Sequence, residues 1–434
     1  MPLRKLNDKS VVDSFKKDLS SITFLAGCDL QKIEAQLDVL TDPDKGRYEK
    51  GASAKAIWEL FFKHSLKGLT ENTRGIDELC SYFDKFARYE NLLVAVDENY
   101  RDHVIHTVWV MLLGFYLRNV STPYKPISFK YAFADLSGGE AAKHIQDSKE
   151  KLTQWESPLW CLIALSHDLG YPIQKSLAAN DTISDIIKSF GFLKQTPLDY
   201  SFGVVHQTAL EELLAIVSAK VAWSAQGFEM VRKAGVRLDF AKSFERLDHG
   251  IMSAYLLLTY LDFICDWGSL GEGEGIVHRS PIEASEVTLC SELLYSISAH
   301  TNKNVYQNDL GGMADLLFLC DELEEFSRFS MVQDEWRNVK CGTEFEFTQD
   351  SLSFRYVFED EHLGDVSKFF KKKMGKVRRR FELASDGIKD ISLTCEDIRK
   401  AVPFGFTYTR TLAEENVKEF PSEVTHEDIL TFLA

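Results

Sequence analysis

The stretch L-W-C-L-I-A-L-S-H-D-L-G-Y-P (159–172) carries seven mostly apolar residues straight into Ser166, His167 and Asp168. An imidazole beside a carboxylate at the end of a core helix has two readings. It is either a hydrogen-bonded polar helix end or a pair of adjacent metal ligands, because imidazole nitrogen and carboxylate oxygen both donate to transition metals. Alone, the dipeptide favours the first. Four further residues shift the balance. His106 lies inside H-V-I-H-T-V-W-V-M-L-L-G-F-Y-L (103–117), a segment apolar nearly all round. His249 opens an apolar run after Asp248, His300 closes another, and Asp321 directly follows L-L-F-L-C. Ionisable groups in such places are unfavourable unless paired or bound to metal. Hydrogen-bonded networks could satisfy one or two of them; six are harder to account for without metal.

The elements that must position these residues are mostly helices. The first hundred residues read as several helices broken by polar turns such as T-D-P-D-K-G-R-Y-E-K-G (41–51). The 103–117 segment is expected to be a central bundle helix, since no polar stripe interrupts it. Long helices are also expected over 249–264, 283–300 and 313–329, the last apolar in its first half and charged in its second. The glycine-rich G-S-L-G-E-G-E-G (268–275) has the wrong charge to cradle a phosphate and reads as a loop. After about residue 330 the pattern changes. Phe345, Phe347, Leu352, Phe354, Tyr356 and Phe358 follow the period of two expected of a hairpin, and 391–395 and 406–410 read as further strands. Between them, Phe370, Met374, Val377 and Phe381 form one apolar stripe on a basic amphipathic helix over 368–381, whose Lys and Arg residues are expected to face solvent. The fold class expected is mainly α: a helical bundle with a small C-terminal α/β appendix, divided into 1–95, 96–330 and 331–434.

Composition narrows the partners. The chain has 434 residues, 45% of them hydrophobic, and a formal charge of −16. That charge argues against a broad duplex-binding surface, though not against a small nucleotide held in a locally positive pocket. The eight cysteines are scattered and form no C-x-x-C, so they read as reduced core residues. M-P-L-R-K-L-N-D-K-S lacks the apolar stretch of a signal peptide, and no apolar run is long enough to span a bilayer. A soluble cytoplasmic protein with no membrane partner is expected.

In chain order, R-D-H-V-I-H-T-V-W-V, L-S-H-D-L-G-Y-P, L-D-H-G-I-M-S-A, S-I-S-A-H-T-N and L-L-F-L-C-D-E-L-E-E-F resemble the signature of the HD-domain superfamily of metal-dependent phosphohydrolases. The resemblance covers about residues 100–330. The His-Asp segment looks most like deoxynucleotide triphosphohydrolases, and the two middle histidines are similar to those of two-metal members such as cyclic-dinucleotide phosphodiesterases. It implies an HD-domain bundle in which His106, His167, Asp168 and Asp321 hold a first metal. Asp168 bridges to a second, held by His249 and His300. Mixed nitrogen and oxygen ligation suits Mn, Fe, Zn, Co or Ni better than Ca or Mg. The implied chemistry is hydrolysis of a nucleotide phosphoester, mono-, tri- or cyclic, by a metal-activated water, with Asp168 and His167 as the catalytic pair. His103 and His106 share one helical face and both compete for the first ligand position; H-T-x-x-V fits the family's first helix better. His103 and Arg101 are then candidates for supporting or phosphate contacts. Tyr171 stands where many members carry a Lys or His that meets substrate, and Lys175 is the nearby cation that could take over. A nuclease acting on single-stranded nucleic acid and a catalytically silent metal-binding module are the alternatives. The resemblance also implies a homo-oligomer, a dimer by default.

Overall fold

The structure is a computed structural model that describes residues 3–96, 102–125, 132–133, 140–191, 203–224, 227–232, 234–264, 281–326, 329–330, 337–338, 341–359, 365–399 and 403–420. Arg101 and the 268–275 loop lie outside the described residues. Among those described, the helices are α1 (Asp8–Asp18), α2 (Leu30–Thr41), α3 (Arg47–Leu69), α4 (Ile76–Val96), α5 (His103–Val120), α6 (Glu140–Ser166), α7 (Tyr171–Lys188) and α8 (Val204–Val217). They continue as α9 (Ala234–Glu245), α10 (His249–Tyr260), α11 (Pro281–Ala299), α12 (Met313–Leu323) and α13 (Val366–Arg380). The strands are β1 (Arg4–Leu6), β2 (Ala132–Phe133), β3 (Ala219–Ser224), β4 (Gly227–Arg232), β5 (Phe329–Ser330), β6 (Arg337–Asn338), β7 (Gly342–Phe347), β8 (Ser351–Phe358), β9 (Asp390–Asp397), β10 (Phe404–Thr411) and β11 (Glu415–Phe420). The protein is mainly α with a small C-terminal α/β part. No helix of the described residues is long and apolar enough to cross a membrane.

Helix α5 is buried around nearly its whole circumference, which is why its sequence has no polar stripe. It lies directly against α6: a Cβ on Gly114 would fall 2.0 Å from the Trp160 ring, and the Trp160 indole N–H donates to the Met111 carbonyl at 2.9 Å. Only glycine leaves room for that indole, so this one position sets how closely the first two site-bearing helices approach.

The C-terminal sheet runs β1-β7-β8-β9-β10-β11. The alternation read from 343–360 is observed: in β7 and β8 the buried residues are every second one, from Thr343 to Tyr356. β8 and β9 pair in parallel, and α13 is the crossover between them. Its apolar stripe packs on the sheet, with Phe370 stacked on Phe406 at 5.2 Å and Phe369 edge-on to Tyr356 at 5.3 Å. The outer strand β1 comes from the start of the chain and pairs antiparallel with β7, Arg4 opposite Phe345. One hydrophobic cluster runs from Leu6 to Val417.

Two expectations change. The helix read as 313–329 ends at Leu323, and Glu322, Glu324 and Glu325 beyond its apolar half are buried, not solvated. On α13, Lys371 and Lys372 are exposed as expected, but Lys373 and Arg380 are 3% and 4% exposed. Lys373 donates to Glu322 and lies 2.9 Å from Glu325, while Arg380 donates to the carbonyls of Ala299, His300 and Val305. The helix therefore has two buried sides, an apolar one against the sheet and a cationic one against the ends of α11 and α12. An apolar-stripe reading sees only the first.

Candidate metal centre

The His-Asp turn sits where α6 stops, and a helix that stops inside a core leaves carbonyls without partners. Side chains from three other elements supply them. The Trp58 indole donates to Leu165 O at 2.7 Å and the Tyr82 hydroxyl to Leu169 O at 2.6 Å. The Ser253 hydroxyl accepts from Gly170 N–H and lies 2.7 and 2.8 Å from the carbonyls of His167 and His249. Gly170 is required here: a Cβ would meet His249 O at 2.4 Å and Met252 Cβ at 2.6 Å. Gly250 does the same one helix on, since its Cβ would lie 2.6 Å from both Ile297 O and Thr301 Oγ1. These two glycines bring α7, α10 and α11 close enough for their histidines to converge. Just before His249, Leu247 adopts φ 52°, a strained conformation for a branched side chain, of the kind that concentrates at functional sites.

Asp168 is the hub. Its Oδ2 lies 3.3 Å from His167 Nε2 and 3.8 Å from His106 Nε2. Its Oδ1 lies 3.3 Å from His249 Nε2 and 3.7 Å from His300 Nε2. Each carboxylate oxygen thus faces one histidine pair. The ligand atoms of His106, His167 and Asp168 all fall within 4.8 Å of one another, as do those of Asp168, His249 and His300. Asp321 joins through His106, its Oδ1 3.1 Å from Nε2.

The other ring nitrogens fix which atom faces inward. His167 Nδ1 lies 2.8 Å from Ala164 O and His300 Nδ1 2.5 Å from Ile297 O. A carbonyl only accepts, so both Nδ1 atoms carry the proton and both Nε2 atoms present a lone pair. Those two Nε2 atoms are buried with no hydrogen-bond partner among the described residues. They point at the Asp168 carboxylate, acceptor toward acceptor, an arrangement that a cation between them resolves. His106 Nδ1 is held by Glu324 at 2.7 Å and His249 Nδ1 by Gln174 at 2.6 Å, the outer hydrogen bonds that orient metal-binding imidazoles. The residues present therefore fit a divalent transition ion in either half of the cluster.

The electrostatics keep one histidine pair free of protons at Nε2. Burial, reinforced by His300, His103 and His167, holds the His249 pKa down at about 3, so its imidazole is neutral at ordinary pH. Burial likewise lowers His300. His106 is raised well above the ordinary value: burial works against its proton, and Asp321 and Glu324 more than offset that.

The remaining sequence candidates surround this cluster. His103 is held by Glu90, its Nδ1 3.0 Å from Oε1, and of the two competing histidines it is His106 whose Nε2 lies 3.8 Å from Asp168. Tyr171 lies between His103 and His249, ring centroids 3.9 and 5.2 Å away, and the Lys175 ammonium stands 5.3 Å over its ring. Sequence reading missed Glu324, Glu90 and Gln174. Glu324 had a signal in the acidic run directly after an apolar helix; Glu90 and Gln174 had none. His249, His300 and Asp321 line a cavity of about 270 Å³. No protein-family model, curated protein or solved structure matches the chain.

Proposed function

We propose that the protein is a metal-dependent phosphohydrolase of the HD type, hydrolysing a phosphoester bond of a nucleotide. The observation that carries this reading is the single carboxylate, Asp168, with one oxygen turned to each of two histidine pairs. His106, His167, Asp168 and Asp321 would hold one divalent ion, and Asp168, His249 and His300 a second. Such ions lower the pKa of water toward neutrality and offset charge on phosphoryl oxygens. The chain's own contribution is positioning: Glu324, Gln174 and two backbone carbonyls lock the imidazoles around the buried Asp168. No side-chain nucleophile is needed for phosphoryl transfer of this kind.

The test is metal content and product release from a nucleotide panel with Mn²⁺, wild type against Asp168→Ala. The panel spans monophosphates, triphosphates, cyclic mono- and dinucleotides and a short single-stranded oligonucleotide. Hydrolysis of one nucleotide class that disappears with the metal in Asp168→Ala supports the reading. Tight metal binding with no turnover of any member overturns it in favour of a binding module, and cleavage of the oligonucleotide alone in favour of a nuclease.

A further inference from the structure

The cavity beside the cluster is lined by more charge than the cluster itself explains. Its carboxylates other than Asp321 are already matched. Glu322 accepts from Lys373 and Lys376, and Asp248 is held by Ser243 and Arg246. Of its cations, Arg380 is consumed by three backbone carbonyls and Lys376 by Glu322. Arg379 and Lys303 remain. Both line the cavity, both are exposed, and neither meets a carboxylate among the described residues. They come from different elements, Arg379 from α13 and Lys303 from the turn after His300, so their convergence on one cavity is a product of the tertiary fold.

The same lining has little to offer an aromatic base. Its apolar members are Val305 and Phe318, both buried, and the Phe318 ring is covered by the Arg380 guanidinium at 4.9 Å. Recognition in this cavity is therefore by charge. The basic helix is also not a continuous outward track of the kind that follows a nucleic-acid backbone, because Lys373, Lys376 and Arg380 turn inward and Arg378 pairs with Glu415.

We infer that Arg379 and Lys303 form a subsite for a second phosphate of the substrate, placing the C-terminal α/β part in the substrate-binding site. This rests on the phosphohydrolase reading for the identity of the first phosphate. The ligand class is a polyphosphate ester, held here through its phosphates, with adenosine triphosphate as the probe. Guanidinium and ammonium groups bind phosphate oxygens through charge-assisted hydrogen bonds, strongest for the planar fork of Arg.

The experiment uses the full chain with saturating Mn²⁺ and compares wild type with Lys303→Ala/Arg379→Ala, both exposed positions whose truncation leaves the core intact. Calorimetry gives dissociation constants for adenosine triphosphate and adenosine monophosphate, and turnover is measured in parallel. The expected result is a loss of about tenfold for the triphosphate and less than about threefold for the monophosphate. Equal loss for both, or none for either, overturns the inference. Selective loss for the triphosphate without turnover by either protein upholds the subsite and sinks the hydrolase. Turnover with no selective loss does the reverse. Tighter binding of a single-stranded oligonucleotide, with the same sensitivity to the two substitutions, overturns the inference in favour of nucleic acid.

Discussion

Glu324 is the residue through which the outer shell of the cluster can be weighed. It is 1% exposed and accepts from His106 Nδ1 at 2.7 Å, so it fixes the imidazole with Nε2 turned toward Asp168 and Asp321. Glu324→Gln keeps an acceptor of the same shape and removes the charge. Hydrogen bonds to charged groups contribute about 1.5–3 kcal/mol and neutral ones about 0.5–1.5, so the difference is about 1–1.5 kcal/mol, or about tenfold in metal affinity. Glu324→Leu removes the acceptor, frees the ring to rotate or change tautomer, and should cost closer to 100-fold. Competition against a chelator of known affinity gives the dissociation constant of the first ion for all three proteins, and near-ultraviolet dichroism checks that each is folded. The graded order, wild type over Gln over Leu, is the expected result. Equal affinities in all three would refute the role assigned to this hydrogen bond, and so would a Gln variant as weak as Leu, because charge would then not be the operative quantity.

Gly250→Ala forces a methyl to within 2.6 Å of a carbonyl of α11, and should destabilise the fold by about 1–3 kcal/mol while moving His249 away from His300. Metal content measured after dialysis is expected to fall below that of wild type; an unchanged value would show that α10 and α11 can separate without loss of the site. Lys373→Met removes the cation that Glu322 and Glu325 share and leaves Glu322 with Lys376 alone, which should cost about 3 kcal/mol in urea unfolding. Adding Glu322→Gln and Glu325→Gln should recover much of that, and no recovery would mean that the Lys373 stem, not its charge, holds α13 in place. Acid should destabilise the metal-free protein through His249. The unfolded chain takes up that proton near pH 6.5 and the folded one only near 3, so this stability is complete above about 6.5 and is lost as pH falls toward 3. The melting temperature of wild type is expected to drop more steeply than that of His249→Gln between about pH 7 and 5; parallel curves would contradict the assignment.

Much of the helical body and of the cluster could be read from residue order because burial leaves a mark on composition. A histidine in a segment as apolar as 103–117 has few ways to be stable, and the period of two in 343–360 admits few structures. What stayed hidden depends on contacts between distant segments. Pairing of Arg4–Leu6 with Gly342–Phe347 leaves no trace in a three-residue strand. The inward turn of Lys373 and Arg380 is set by carboxylates and carbonyls on α11 and α12, not by anything in K-K-K-M-G-K-V-R-R-R itself. Nothing around Gly170 or Gly250 in the sequence marks them out; only the close crossing of helices shows why each lacks a side chain.

The edge pairing of β1 with β7 also constrains how the protein is made. Residues 4–6 are made before their partner strand, which lies more than three hundred residues further along the chain. Asp321, Glu324 and α13 likewise follow the other cluster residues in chain order. A ribosome-bound chain therefore passes through a long interval with His106, His167, Asp168, His249 and His300 all present but the cavity unwalled. The cavity wall is therefore completed only by residues of α13, Lys376, Arg379 and Arg380, which follow every candidate ligand in chain order.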